Sequence, residues 1–220
     1  MSFERPVIIT LAGVPVTTTV VATSAMVVVL CALAIVARRR IRATPGRWQA
    51  AAEWGLSALE TLLAEMTGSS GRRYVPLVAT IAIFVLAANL MTAVPFLEAP
   101  TADVNTPAAL ALVVFCSVHY FGVRQLGFGG YLRKFAQPFV LFLPINVLGN
   151  LTRTFSLAIR LFGNMVSHQI IVAILLLILP LVVPAVLEVF GLFIGVLQAY
   201  IFTILTIVYI GGAVRAGGEV

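Results

Sequence analysis

Charge is what this sequence has least of. Its 220 residues carry 14 Lys and Arg and 8 Asp and Glu, 10% in all. A soluble domain of this size carries about a quarter. That scarcity, with 61% hydrophobic residues and a mean hydropathy of +1.09, excludes a soluble globular protein and predicts one integral membrane domain. Cysteine is nearly absent too. Cys31 and Cys116 fall in separate apolar runs, which excludes a disulfide framework and leaves two free thiols. There is no metal-ligand spacing, no phosphate-cradling glycine loop and no GxSxG pattern. The net charge of +6 does not point to nucleic acid, because the arginines flank apolar spans and form no patch interleaved with aromatics. The N-terminus is unlike a secretory signal: Glu4 and Arg5 cancel, and Arg38-Arg39-Arg40 follow the apolar run as a stop-transfer flank.

What is present is length of apolar chain. Stretches at about 14–37, 75–97, 107–123, 139–179 and 183–211 can each cross a hydrocarbon layer that needs roughly 20 residues. The third is short. The fourth would reach about 60 Å if wholly helical, so it is expected to be broken near Pro138 and Pro144, steeply tilted, or both. Lys and Arg number seven in the 38–74 loop, three in the 124–137 loop and one at Arg215, against Arg5 alone on the other side. The positive-inside rule then predicts five crossings, an outer N-terminus and a cytoplasmic C-terminus. Between the first two spans, Trp48, Ala52, Leu56, Leu59, Leu63 and Met66 recur at helical period opposite Gln49, Glu53, Ser57 and Glu60. An amphipathic helix is predicted over 46–66, opened by Pro45 and closed by Gly68, lying on the cytoplasmic surface or against a partner helix. The fold class is all-α, with five crossing helices, this surface helix, and a last antiparallel hairpin of two long, tilted helices. Its parts are an N-terminal span with basic flank (1–44), the amphipathic helix (45–68), the second and third spans (75–123) and the hairpin (139–212).

The hairpin carries the candidate chemistry. Arg153, Ser156, Arg160, Asn164, Ser167 and His168 follow each other in steps that make one stripe. A guanidinium does not deprotonate, and setting it at mid-membrane costs about 2.5–3.5 kcal/mol on insertion scales. The last span holds Glu188 and Gln198, with small residues Gly191 and Gly195 between them. A turn near Pro180–Pro184 gives one register that sets Arg160 opposite Gln198 and His168 opposite Glu188, the second pair nearer the outside. Simpler readings stand beside these. Arg160 can snorkel to the cytoplasmic interface, Arg153 can snorkel or face a loop, and His168 can be a packing histidine. Gln198 can be helix–helix glue, and Asn89 in the second span is ambiguous alone. His119, beside Tyr120 near the cytoplasmic end of the third span, reads as interfacial. A secondary transporter whose arginine binds an anionic substrate is the alternative function; the sequence has no internal repeat of the kind many such transporters show.

At these residues the sequence resembles subunit a of F-type ATP synthases. The motifs are Ser156-Leu157-Ala158-Ile159-Arg160-Leu161-Phe162-Gly163-Asn164-Met165 and Leu197-Gln198-Ala199-Tyr200-Ile201-Phe202-Thr203, continued by Leu205-Thr206-Ile207-Val208-Tyr209. Ala102-Asp103-Val104-Asn105 and Asn89-Leu90-Met91 are weaker matches, and the likeness covers roughly 45–212. It implies that Arg160 is the essential arginine facing the ring carboxylate, with Gln198 packed near it. It also implies that His168 and Glu188 line an outer half-channel, with Glu188 about one helical turn from the family's usual position; the charge layout adds Asn89 to that path, and Asn164, Ser156 and Asn150 are further ion-path candidates. Implied partners are the c-ring subunits, subunit b of the peripheral stalk, the F1 sector indirectly and the lipid bilayer of the inner cell membrane. No cofactor, metal or nucleic acid is implied, and the chain would not be an enzyme on its own. Thr92 stands where some bacterial members have aspartate, and Asn146 and Asn150 where many have glutamate. With the Glu98–Asp103 loop and the short N-terminus, this resembles a divergent bacterial or archaeal branch.

Overall fold

The computed structural model describes residues 7–11, 14–41, 46–67, 71–93, 100–135, 139–178 and 182–215. The turn expected near Pro180, the ends expected at Pro45 and Gly68, and Pro138 lie wholly or partly outside them. Six helices carry the fold. They are α1 (Thr18–Arg40), α2 (Arg47–Thr67), α3 (Val75–Leu90), α4 (Asn105–Phe135), α5 (Leu143–Ile178) and α6 (Val182–Arg215). Before them, β1 (Val7–Leu11) and β2 (Val14–Thr17) pair antiparallel, so the chain is not purely helical. Val, Ile and Thr dominate both strands, and β-branched residues suit a pleated ladder better than a helix.

Among the described residues four helical segments are long and apolar enough to cross a membrane: Thr18–Arg40, Asn105–Arg133, Leu143–Ile178 and Val183–Val214. The 75–97 stretch is helical only over the 16 residues of α3, about 24 Å, before a 3-10 turn at Met91–Ala93. The Thr92 hydroxyl donates to the Asn89 carbonyl (2.7 Å) at that turn. The 139–179 stretch is unbroken from Leu143 onward. Pro144 sits in the first turn of α5, where a missing N–H costs nothing, so it opens the helix instead of breaking it. The 124–137 segment expected as a loop is helical to Phe135 apart from a kink at Gly127, whose φ of 71° and ψ of 162° are open in practice to glycine alone.

Helix α6 is the central element, touching α2, α3, α4 and α5. Three layers of core lie along it. Leu63, Tyr74, Val75, Val78, Ile207, Ile210 and Val214 fill one end. Ile81, Val85, Val114, Leu157, Leu161, Ala199 and Phe202 fill the middle, and Ala102 packs on Met165 at the other end. The first layer marks the basic end of the molecule: Arg72 and Arg73 lead into α3 there, and the Tyr74 ring meets Phe121 of α4 edge-on at 4.7 Å. Helix α2 buries Leu63 and packs Met66 on Gly211 of α6, so its apolar stripe docks on the chain at one end. Trp48 at its start is 92% exposed. Elsewhere the surface is apolar: Leu, Ile, Val and Phe side chains along α1, α4, α5 and α6 face outward, as a lipid-facing surface requires. Hydroxyls on these helices are satisfied within the helix, as when Thr206 donates to Phe202 O (2.8 Å) and Thr203 to Ala199 O (2.7 Å).

Candidate functional site

Helix α5 presents two adjacent stripes. Leu157, Leu161 and Met165 are buried against the core. Arg153, Ser156, Arg160, Asn164 and Ser167 are exposed beside them. The polar stripe is thus not interior to the bundle, as the layered hairpin had suggested; it lies on the outside of the chain. Arg160 is at the midpoint of α5, about 26 Å from Leu143, and makes no hydrogen bond or ion pair with any described residue. A permanent cation with apolar surface around it is costly in a membrane.

Two cavities approach it from opposite ends. The larger, about 820 Å³, lies at the basic end between α4, α5 and α6. Asn146, Asn150, Arg153 and Thr154 line it from α5, His119 and Tyr131 from α4 and Tyr209 from α6, and it stops at Leu157. The smaller, about 20 Å³, has room for roughly one water and begins at Leu161. Asn89, Asn164, His168, Gly191 and Gln198 surround it. Neither is lined by Arg160, which stands between the two levels.

Around the smaller cavity the polar groups are fixed. The Asn164 amide donates to Gln198 Oε1 at 2.8 Å, joining the exposed stripe to a glutamine that is 4% exposed. Asn89 is fully buried, donates to Gly195 O of α6 (3.0 Å) and accepts from the Thr101 hydroxyl (3.2 Å). His168 Nε2 lies 3.1 Å from Leu187 O; a carbonyl only accepts, so that nitrogen carries the proton. Gly191 makes this possible, because a Cβ there would occupy the space of the imidazole. The partners differ from those expected from the sequence: Gln198 is bonded by Asn164, one turn along from Arg160, and His168 by the backbone at Leu187, next to Glu188 but not by its carboxylate. Glu188 is half-buried and lines neither cavity; Ser156 lines neither as well, and Asn150 lines the larger.

The sequence matches the family described as ATP synthase A chain over residues 19–211. The chain belongs to that family. ATP synthase subunit a 2 of a Bradyrhizobium species is 44% identical over 190 residues, 85% of each chain. Subunit a 1 of Chlorobaculum parvum is 42% identical over 199 residues, 90% of this chain and 88% of its own. Subunit a of Moorella thermoacetica is 40% identical over 216 residues, 98% of this chain and 99% of its own. Members of the ATP synthase A chain family are non-catalytic membrane subunits of a larger complex, and the apolar helices here fit a multi-pass membrane protein. Membership removes the ground for a secondary transporter.

Several residues of the site escape sequence reasoning. Thr101 sits in a 3-10 turn with no periodic signal, and Gly191 looks like any small residue until its missing side chain is seen to seat His168. His119 was expected at the interface, yet it is half-buried and faces the larger cavity. Only the chain reversal at Gly127 shows this, and the Gly127-Phe128-Gly129-Gly130 run was its signal.

Proposed function

We propose that the chain is the stator subunit of a rotary ATP synthase, giving the c-ring two ion half-channels and coupling H⁺ or Na⁺ movement to rotation and ATP synthesis. The carrying observation is Arg160, exposed and with no hydrogen bond or ion pair among the described residues, at the level between two cavities displaced toward opposite ends of α5. An ion enters through the smaller cavity past Asn89, His168, Asn164 and Gln198, with Glu188 on the approach, and loads a ring carboxylate. The ring turns through lipid with that site neutral until it meets Arg160. An opposite charge within a few ångströms lowers a carboxylate's pKa by about 1–3 units, so the ion leaves. It exits by the larger cavity, past Ser156 and Asn150. The same cation repels others and keeps the two paths from joining.

In this arrangement α3 with its 3-10 extension is the fifth crossing, α5 and α6 run tilted along the ring, and the basic end is cytoplasmic. The N-terminus is outside and the C-terminus inside the cell membrane. Subunit b of the peripheral stalk and, through it, the F1 sector complete the partners.

The ring-facing stripe is tested by disulfide cross-linking. Single cysteines at Ser156, Asn164 or Ser167, in a chain with Cys31 and Cys116 changed to serine, are expected to cross-link to a cysteine beside the ring carboxylate. Cysteines at the buried positions Leu157 and Met165 should not. Equal cross-linking from both stripes, or none from the first, contradicts the placement.

A further inference from the structure

Among the described residues the larger cavity has no acid in its lining. Its lining includes Asn146, Asn150, Thr154, Arg153, Tyr131 and Tyr209, but neither Asp nor Glu. Arg153 is permanently charged and a tyrosine gives up its proton only in alkali. Among the described lining residues His119 is the one whose side chain is of a type that changes charge between pH 5 and 8. Its ring is also held in a way that suits proton exchange. Nδ1 lies 2.8 Å from the Phe115 carbonyl, which only accepts, so Nδ1 carries a hydrogen and Nε2 is left to gain and lose a proton.

Three aromatic rings fix the imidazole: Phe115 at 4.0 Å between centroids, Tyr131 edge-on at 5.8 Å and Phe135 stacked at 6.3 Å. Tyr131 and Phe135 reach it only because the chain kinks at Gly127 and because Gly122 has no side chain where the Tyr131 ring lies. Asn146 clamps the returning segment by donating to Phe135 O at 2.9 Å. A fold that merely buried a histidine would not leave it on a cavity wide enough for many waters.

We propose that His119 is the proton relay of this cavity, taking the part of a carboxylate that none of its described lining residues supplies. The proposal rests on the half-channel function above and commits the carried ion to H⁺. A proton released by the ring carboxylate beside Arg160 crosses the cavity water and is taken by the Nε2 lone pair, giving imidazolium. The same N–H bond then breaks and the proton passes to cytoplasmic water, while the other hydrogen stays on Nδ1, donated to Phe115 O.

The test uses the complete ATP synthase in liposomes, with ATP synthesis and ATP-driven acidification measured as the pH on the F1 side is varied over about pH 5–8. His119→Gln is expected to slow both by about tenfold or more and to change the shape of the pH profile. His119→Glu should recover most of the rate with the ionisation moved to lower pH. An unchanged rate and profile in His119→Gln overturns the relay. So does a loss that is equal at every pH and is not recovered by glutamate, which marks a packing role, and so does synthesis that needs sodium and survives a protonophore. Arg160→Ala is run in parallel: if it still couples, the half-channel function itself fails, whereas a silent His119→Gln beside a dead Arg160→Ala removes the relay alone.

Discussion

Arg160→Ala is expected to take ATP-driven ion pumping and ATP synthesis below detection, while passive ion leak through the membrane sector rises. The position explains both effects. Arg160 stands on the outer face of α5, three residues after Leu157, where the larger cavity stops, and next to Leu161, where the smaller begins. Removing the cation takes away the pKa depression of about 1–3 units that discharges the ring site, a tenfold to thousandfold loss at that step. It also leaves an apolar stub where a fixed charge had repelled any cation moving directly between the cavities. The fold should survive, because the guanidinium bonds to no described residue and its removal leaves no buried group unpaired. Quenching of a pH dye in vesicles, with and without ATP, measures both directions. Normal ATP-driven quenching would contradict the role.

The second large effect is expected at Gly191. A valine there would drive its Cβ into the imidazole of His168 and fill a cavity of about 20 Å³ that holds one water at most. Overpacking of this kind costs about 1–3 kcal/mol of stability, and displacing the imidazole and closing the cavity should lower transport by about tenfold or more. Stability and transport can be separated. Adding His168→Ala to Gly191→Val makes room and should restore the thermal stability of the purified complex, while pumping stays low because the imidazole is gone. Full pumping by Gly191→Val alone would show that ions do not pass this point.

Much of this was legible in the sequence for physical reasons. The arginine on the polar stripe, the amphipathic α2 and the two long final helices all follow from periodicity, which a helix imposes on its own residues. What depends on contacts between distant segments was not legible. Pairing polar side chains across the hairpin put His168 against Glu188. The imidazole instead bonds a backbone carbonyl, and only the absent side chain of Gly191 permits that. Asn89 has no meaning until Thr101 and Gly195 are brought to it from a turn and from another helix. His119 reads as an interfacial residue as long as 124–137 is taken for a loop. The φ of Gly127 turns that segment back and makes a walled cavity of it. Strand β2 falls inside the 14–37 apolar stretch because an apolar count does not distinguish Val in a ladder from Val in a helix.

Two separate water paths meeting only at the ring are the heart of the mechanism, and side-specific labelling tests them most directly. In a chain with Cys31 and Cys116 changed to serine, single cysteines at Asn150 and Asn164 are exposed to silver ion, or to a small charged thiol reagent, from one face of sealed vesicles at a time. The Asn150 position is expected to react only from the F1 face and the Asn164 position only from the opposite face, each reaction stopping ATP-driven pumping. Both positions reacting from the same face, or either reacting from both, would contradict two half-channels separated at Arg160.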